Sequence, residues 1–453
     1  MEGMLAGLGP FAFWGLALAS FAGLFALGRM GLPLWARVFA GLIAGGVLGL
    51  LFGEVAASAK PVGDGFVKLI RMLIVPLIVT TLTAGVIAMG DPKKLGSLGL
   101  RTILLYMTTT VFAVSLGIVA GLVWQPGEGL DIADMGSGSA GEVQERFERA
   151  AAAERTVTQQ LLDVIPANPI AAMANGDILP IIFFSIFLGV AILTAGAAGR
   201  PIARGIESLA EAVLKLTGFV MALAPYGVLA LMAWVLGTQG LGVVLVLGKL
   251  AGAVYSGCLV QIVVVYGLLV GGVLRLNPLR FFAGIADAIS TAYSTASSSA
   301  TLPVTIQNVS RNLGVSKSVA GSVLPLGATI NMDGTSLYLG VVAVFAAQVV
   351  GADLTLAQYV GIAATATAAS IGAAGIPSAA LFLAFAVLQT FGVTTEQAVV
   401  IIAFVFPFDR LLDMMRTATN VTGDAAVATA VAKWEGALDE DVFAGRRADA
   451  ALA

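Results

Sequence analysis

The chain has 453 residues, of which 58 % are hydrophobic and only 11 % are charged. Globular proteins carry about 25 % charged residues, so this composition leaves too little polar surface for a water-soluble particle and indicates an integral membrane protein. A formal net charge of −3 argues against nucleic-acid binding. His is absent and Cys258 is the only cysteine, which excludes disulfides, His-based triads and His/Cys metal sites.

Apolar runs of the roughly 20 residues that cross a bilayer recur along the chain. They predict membrane-spanning helices near 10–28, 34–52, 67–90, 98–124, 178–198, 218–237, 243–273, 319–349 and 397–430. The first run lacks the charged n-region of a signal peptide, so we interpret it as an extra helix. Two further apolar stretches, 281–308 and 355–388, are interrupted by small or helix-breaking residues and predict re-entrant hairpins.

The basic residues of the short loops predict the orientation of the chain. Lys and Arg cluster in alternate loops, which places those loops and the C-terminus in the cytoplasm. The long polar stretch from Gln125 to Asn175 mixes acidic and basic residues, as expected for a solvated external loop.

The last predicted span carries ionisable residues at membrane depth, where each charge costs about 2.5 to 3.5 kcal/mol. Asp409, Asp413, Arg416, Asn420 and Asp424 fall within an arc of roughly 80° on one helix face. That face must point into the protein. Two interpretations remain open, an internal ion-pair ladder between helices and a site for a ligand and cations.

The span 319–349 contains the sequence GATINMDGT at 327–335. Asn, Asp and Gly are poor helix formers, so we expect the helix to unwind there and to free backbone carbonyls beside one carboxylate. Such oxygen ligands suit Na⁺, and broken helices are a recurring device of transporters. A kink used only for packing is the alternative.

The two hairpins have similar tips. The first contains SSSATLP at 297–303 and the second SIGAAGIPSAA at 370–380. Consecutive hydroxyls and a Pro favour a turn whose N–H groups can bind a carboxylate, although Ser-rich segments also serve plain helix packing in membranes. Two matched hairpins that enter from opposite sides indicate an inverted repeat.

Four motifs in this order, SSSATLP, NMDGT, GAAGIP and DMMRTATNVTGD, resemble the dicarboxylate/amino acid:cation symporters, the family of the glutamate transporters, over about residues 34–435. The resemblance implies an all-α membrane protein with eight core transmembrane helices, two re-entrant hairpins and inverted repeats. It implies a homotrimer in which a transport domain moves as an elevator. The domains would be 1–33, an extra N-terminal helix; 34–277, mainly scaffold and trimerisation helices except for 98–124; 278–432, the transport-domain core; and 433–453, a cytoplasmic tail.

By matching motif positions, the resemblance also implies a substrate pocket. Its residues would be Ser298, Ser299, Thr335, Gly375, Pro377, Asp413, Arg416, Thr417 and Asn420. Arg416 is similar to the residue that pairs with an acidic side chain of the substrate, and Asp413 to the carboxylate that receives the α-amino group. Physical chemistry agrees, because a guanidinium binds a carboxylate bidentately and an ammonium needs a carboxylate opposite it. Some members carry a second Arg at one of two positions, either before the serines of the first hairpin or next to the Asp413 position, and these are Ala296 and Met414 here.

Three sodium sites are implied in the same way. They would be formed by Asp424, Asn420, Asn331 and Gly327; by Thr329, Met332 and Ser370; and by Tyr106, Thr109, Thr110, Asn331 and Asp333. Na⁺ would be co-transported, and no organic cofactor is expected.

The resulting hypothesis is secondary active uptake of L-aspartate or L-glutamate with Na⁺ across the cell inner membrane by a multi-pass transporter, not an enzyme. A proton-coupled glutamate or C4-dicarboxylate symporter is the alternative. An intramembrane hydrolase built on a hairpin Ser or on Asp409 and Asp413 is less favoured, because a Ser nucleophile would lack its usual His base. A passive channel is a third alternative.

Overall fold

The computed structural model describes residues 9–32, 34–88, 92–130, 165–175, 177–240, 242–370 and 379–446. Over these ranges the regular structure is helical, and an isolated bridge between Val315 and Leu438 is the one β interaction. The all-α prediction is confirmed for this part of the chain.

The helices follow the apolar runs of the sequence. In the first half they are α1 (Gly9–Arg29), α2 (Leu34–Phe52), a 3₁₀ turn (Gly53–Ala59), α3 (Lys60–Ala88), α4 (Pro92–Trp124), α5 (Pro169–Asn175), α6 (Ile178–Thr194), α7 (Arg200–Met221) and α8 (Ala224–Gln239). In the second half they are α9 (Gly242–Val260) with two π-helical segments (Gln261–Tyr266 and Leu269–Val273), α10 (Pro278–Gly284), α11 (Ala286–Thr295), α12 (Ser298–Arg311), α13 (Lys317–Ile330), α14 (Asp333–Val349), α15 (Leu356–Ser370), α16 (Ala379–Gln389), α17 (Thr395–Trp434) and α18 (Glu440–Phe443).

Among the residues that the structure describes, five helical stretches are long and apolar enough to cross a membrane. They are Gly9–Arg29, Ala36–Ile87, Gly99–Trp124, Gly242–Val273 and Lys317–Val349, and the pair α7 and α8, bent by 48°, makes a sixth if counted as one span. The predicted span 218–237 therefore corresponds to the end of α7 and to α8 rather than to one straight helix. Helix α6 is not among these stretches because it has only 17 residues. Helix α17 is not among them because of the charged residues that motivated the functional hypothesis.

The extra helix α1 packs against the helices that follow it. Phe13 is fully buried and its ring lies 5.6 Å from that of Phe52, while Phe21 and Tyr226 are 5.7 Å apart. The remaining face of α1 exposes large apolar side chains such as Phe11 and Phe25, as a lipid-facing helix does.

Helix α14 lies at the centre of the molecule, with every residue except Gln348 buried. Glycines bring α4 against it at backbone distance. A Cβ at Gly340 would lie only 2.7 Å from the carbonyl oxygen of Val114, and a Cβ at Gly117 would overlap the carbonyl of Leu337. Small residues at such crossings are what membrane helices use to pack closely, and here they hold Thr109 and Thr110 of α4 beside the start of α14.

The two predicted hairpins correspond to pairs of packed helices. In the first, α11 and α12 are joined by Ala296, which adopts a left-handed conformation at φ 49°, and Ser297, which caps α12 by accepting from the Ala300 amide at 3.2 Å. In the second, α15 and α16 flank residues 371–378, which lie outside the described residues.

The chain after α17 folds back on the loop between α12 and α13. The Asp439 amide donates to the Gly314 carbonyl at 2.9 Å and the Ser316 amide donates to the Ala437 carbonyl at 3.0 Å. Val442 and Phe443 are buried beneath this segment. Residues 435–446 therefore belong to the folded body.

Candidate functional site

The predicted unwinding of the span 319–349 is confirmed. Helix α13 ends at Ile330, α14 begins at Asp333, and Asn331 and Met332 between them have non-helical backbone angles. Asn331, Met332 and Asp333 are all buried. Asp333 stands in the first turn of α14, where the helix dipole favours a negative charge.

Neutral donors surround the Asp333 carboxylate. The hydroxyl of Thr110 donates to Oδ1 at 2.7 Å, and the hydroxyl of Tyr266 donates to Oδ2 at 2.6 Å. The amide of Gln261 donates to Oδ2 at 3.4 Å. Gln261 and Tyr266 were missed by the sequence analysis. Their signal was a side-chain amide and, five residues later, a tyrosine within the otherwise apolar residues 259–270.

A second carboxylate, Asp424, lies in the same network. The Asn331 amide donates to Asp424 Oδ1 at 3.0 Å and to the Asn420 carbonyl at 3.4 Å. Asn420 in turn accepts from the Gly334 amide at 2.7 Å and donates to Met332 Sδ at 3.2 Å. The break in the span is thus held against α17 by side-chain amides that contact both of its ends.

Helix α4 and Gly327 complete this cluster. The Thr109 hydroxyl lies 3.4 Å from Asn331 Oδ1, and the Tyr106 hydroxyl donates to the Val323 carbonyl at 3.1 Å. A Cβ at Gly327 would overlap both the Asp424 carboxylate and the Tyr106 hydroxyl. Only glycine therefore lets the carboxylate approach the backbone of α13.

The chemistry of this cluster suits a hard cation. Its potential ligands are carboxylate, amide, hydroxyl and carbonyl oxygens, which hard cations prefer. Within the described ranges no three His, Cys, Asp or Glu side chains group as ligands for a metal ion. The donor set fits a transported Na⁺, which is cargo, better than a resident transition metal.

The charged face of α17 is buried, as predicted. Arg416 is fully buried and makes two ion pairs, with Asp409 Oδ1 and with Asp413 Oδ1, both at 2.9 Å. Its guanidinium carbon lies 4.1 Å from the centre of the Tyr338 ring. Arg410 lies 3.9 Å from Asp413 and donates to the carbonyl of Thr295 at the end of α11.

Two acids and two arginines thus form a compact charge cluster beside the first helix pair. The sequence left open a ladder of ion pairs between helices, but these ion pairs join residues of α17 to one another, so they do not make this cluster a ladder between helices. A ligand site is compatible with it, because the Nε donor of Arg416 is buried without a hydrogen-bond partner.

The remaining predicted residues lie around these two clusters. Thr335 of α14 and Thr417 of α17 are buried. At the start of α12, Ser298 is buried and Ser299 is exposed. Thr329 and Ser370 donate within their own helices, to the carbonyls of Leu326 and Thr367. Gly375 and Pro377 lie outside the described residues.

Comparison with known proteins gives a consistent picture. The model of the sodium:dicarboxylate symporter family matches residues 34–434. The chain is 36 % identical over 402 residues to a proton/glutamate-aspartate symporter of Bacillus subtilis (strain 168), covering 89 % of this chain and 95 % of that protein. It is 33 % identical over 411 residues to a proton/sodium-glutamate symport protein of the same organism, covering 90 % of this chain and 94 % of that protein.

A third relative is named for a different substrate. The chain is 34 % identical over 415 residues to a C4-dicarboxylate transport protein of Anaeromyxobacter sp. (strain K), covering 91 % of this chain and 92 % of the relative. The matched residues include both clusters described above. The chain belongs to the sodium:dicarboxylate symporter family and is a multi-pass membrane transporter, not an enzyme.

Proposed function

We propose that the protein is a secondary active symporter that takes up L-aspartate or L-glutamate together with Na⁺. The observation that carries this proposal is the buried triad of Asp409, Arg416 and Asp413, with both ion-pair distances at 2.9 Å. Arg416 offers a planar fork for the side-chain carboxylate of the substrate, and Asp413 offers a charge for its α-ammonium group. In the structure Arg416 pairs with both Asp413 and Asp409.

Substrate would exchange one set of ion pairs for another. An acidic amino acid carries two carboxylates and one ammonium group. Its side-chain carboxylate can replace Asp413 at Arg416 and its ammonium group can replace Arg416 at Asp413, while the α-carboxylate would face the amides and hydroxyls of the hairpin tips. Thr335, Thr417, Asn420, Ser298, Ser299, Gly375 and Pro377 would complete the pocket. Asp409 would hold Arg416 in place while Asp413 turns toward the ammonium group.

The neighbouring cation cluster supplies the coupling. The hydrogen-bond partners of Asp333 and Asp424 are neutral side chains, so each buried carboxylate favours entry of a cation. Asn420 contacts Asn331, Met332 and Gly334 in this cluster and stands one turn from Arg416 on α17. Na⁺ and substrate would then stabilise one arrangement of the broken helix, with reciprocal coupling. Each Na⁺ moving inward through 100 mV contributes about 2.3 kcal/mol.

The three sodium sites would use the residues predicted from the motifs. The set of Tyr106, Thr109, Thr110, Asn331 and Asp333 is supported by the contact of Thr110 with Asp333 and by that of Thr109 with Asn331. Asp424, Asn331, Asn420 and Gly327 are supported by their mutual contacts. The set of Thr329, Met332 and Ser370 rests on the motif match.

A proton-coupled glutamate or C4-dicarboxylate symporter is the second candidate. It is favoured by the relatives, whose names include both proton-coupled glutamate carriers and C4-dicarboxylate carriers at similar identity. In that case Asp333 or Asp424 would carry a proton. The presence of Asp413 favours an amino acid over a simple dicarboxylate.

The architecture we propose has eight core transmembrane helices, two re-entrant hairpins in inverted repeats, and the extra helix α1. The pairs α11 with α12 and α15 with α16 would be the hairpins. Residues 278–432 and α4 would form the core of an elevator-like transport domain in a homotrimer of the inner membrane, with residues 433–453 in the cytoplasm. The contacts of Gln261 and Tyr266 with Asp333 argue for adding α9 to that core rather than to the scaffold of residues 34–277.

Uptake into proteoliposomes containing the purified protein tests the proposal. Labelled aspartate is offered under an imposed Na⁺ gradient at equal pH, and separately under a proton gradient in Na⁺-free buffer. Accumulation with Na⁺ alone is the expected result. Accumulation with protons alone would reassign the acids as proton carriers, and accumulation in neither condition would reopen the choice of substrate, with succinate tested next.

A further inference from the structure

Helix α9 changes its geometry where it passes the broken span. It is α-helical to Val260, and Gln261–Tyr266 and Leu269–Val273 are π-helical. The Leu274 amide, for example, donates to the Leu269 carbonyl five residues earlier at 3.0 Å. π-Helical turns are rare in proteins, and those that occur often lie at functional sites. The position of the segment Gln261–Tyr266 beside the broken span therefore needs a physical explanation.

The reason is the direction of two side chains. In an α-helix, residues five apart point about 140° away from each other, because each residue turns the helix by about 100°. In a π-helix, whose hydrogen bonds join residues five apart, they lie one turn apart on the same face. Gln261 and Tyr266 are both fully buried, whereas Val263 is 59 % and Val264 46 % exposed between them.

Both buried side chains converge on one carboxylate. Tyr266 donates to Asp333 Oδ2 at 2.6 Å and Gln261 donates to the same oxygen at 3.4 Å, while Gln261 also donates to the Thr109 carbonyl at 3.4 Å. With the Thr110 hydroxyl on Oδ1, the orientation of the carboxylate is fixed from two helices. A regular α-helix could present only one of the two α9 side chains to Asp333.

Helix α17 leaves room for this contact. A Cβ at Gly423 would lie 2.5 Å from the Tyr266 hydroxyl oxygen and 2.7 Å from Asn331 Nδ2. The Tyr266 hydroxyl also lies 3.5 Å from the Thr419 carbonyl. Tyr266 therefore reaches the point where the broken span, α9 and α17 meet.

We propose that the π-helical segment Gln261–Tyr266 positions Asp333 for the coupling cation, so that Tyr266 and Gln261 set the cation affinity of the transporter without binding substrate. The inference rests on the proposed function in one respect, that Asp333 receives the cation that drives uptake. It adds two positioning residues and assigns a purpose to the π-helical turn.

Tyr266→Phe removes one hydroxyl and keeps the ring. Removing a hydrogen-bond partner that orients a metal ligand typically weakens metal binding about 10- to 100-fold. The Na⁺ concentration for half-maximal aspartate uptake should therefore rise at least about tenfold, while uptake at saturating Na⁺ and the aspartate KM measured there stay within about twofold of wild type. Gln261→Leu should shift the same parameter in the same direction, and it serves if Tyr266→Phe fails to fold.

Tyr255→Phe is the matched control. It lies on the same helix and loses a hydroxyl that donates to the Leu411 carbonyl at 2.8 Å, away from Asp333. Its Na⁺ dependence should equal that of wild type. Unchanged Na⁺ dependence in both Tyr266→Phe and Gln261→Leu would overturn the proposal, as would an equal shift in Tyr255→Phe.

A second readout separates this proposal from the proposed function. Thermal unfolding of the purified protein is followed as Na⁺ replaces choline without substrate, because a cation that binds the folded state raises the midpoint. A Na⁺-dependent rise in wild type that is lost in Tyr266→Phe supports the positioning role even if uptake is not driven by Na⁺. If protons drive uptake, the same variants should shift the proton dependence, and an unshifted proton dependence overturns the proposal while the transporter assignment stands.

Discussion

The buried triad on α17 makes a prediction that separates substrate binding from structural support. Asp409, Asp413, Arg410 and Arg416 lie together, and their formal charges cancel. Arg416→Ala leaves two carboxylates against Arg410 alone, one uncompensated negative charge in a buried site. Removing one partner of a buried ion pair costs about 3 to 5 kcal/mol. Arg416→Ala should therefore both lose acidic substrates and destabilise the fold.

The double variant Asp409→Asn/Arg416→Ala separates the loss of substrate binding from the loss of stability. It restores the charge balance of the cluster, because Asp413 then faces Arg410 and the other acid is neutral. Its thermal unfolding midpoint should return close to that of wild type. Acidic substrates should still bind poorly, since a desolvated carboxylate that loses its charged partner costs about 2 to 5 kcal/mol. The lower value corresponds to about a 30-fold weaker affinity.

Two measurements on the same protein samples suffice. Unfolding is followed by intrinsic fluorescence in detergent, and affinity is obtained from competition by unlabelled aspartate and succinate against labelled substrate. Asp409→Asn alone is the control for the loss of that carboxylate. Wild-type affinity for both compounds in the charge-balanced double variant would refute the reasoning and leave Arg416 with a purely structural role.

Three further outcomes follow from the geometry. Asp413→Asn should weaken competition by aspartate at least about tenfold more than competition by succinate, because only the amino acid presents an ammonium group; equal losses would show that Asp413 acts only on the fold. Gly327→Ala should raise the Na⁺ concentration needed for uptake, because a Cβ there overlaps the Asp424 carboxylate; an unchanged Na⁺ titration would exclude that site. Gly117→Ala should destabilise the protein, because a Cβ there overlaps the Leu337 carbonyl of α14. Gly361→Ala is its control, since no atom lies within 4 Å of the added Cβ, and it should be neutral or stabilising by about 0.4 to 1 kcal/mol in unfolding experiments. Equal unfolding midpoints for the two variants would argue against close packing of α4 on α14.

The apolar runs predicted most helices because membrane helices must satisfy their backbone internally and face lipid with apolar side chains. The bend between α7 and α8 was not predicted, because the run 218–237 is apolar on both sides of Ala222 and Leu223; Pro225 in the first turn of α8 is the local signal of a new helix start. The interruption at Asn331 was predicted because Asn331, Asp333 and Gly334 are poor helix formers. The π-helical turn after Val260 was not predicted, because the residues of Gln261–Tyr266 would be equally at home in an α-helix.

The sequence alone determined that this is a helical membrane protein with charges buried in its last long helix. Hydropathy and the cost of charge in a bilayer are properties of each residue and its helical neighbours, and both can be read along one helix. Only the tertiary structure decided the partners of those charges. It paired Arg416 with Asp409 and Asp413, and it brought Tyr266 and Gln261 to Asp333, 67 and 72 residues further along the chain. Such contacts depend on how the helices cross and on which residues of a neighbouring helix meet each face, and no local pattern encodes either.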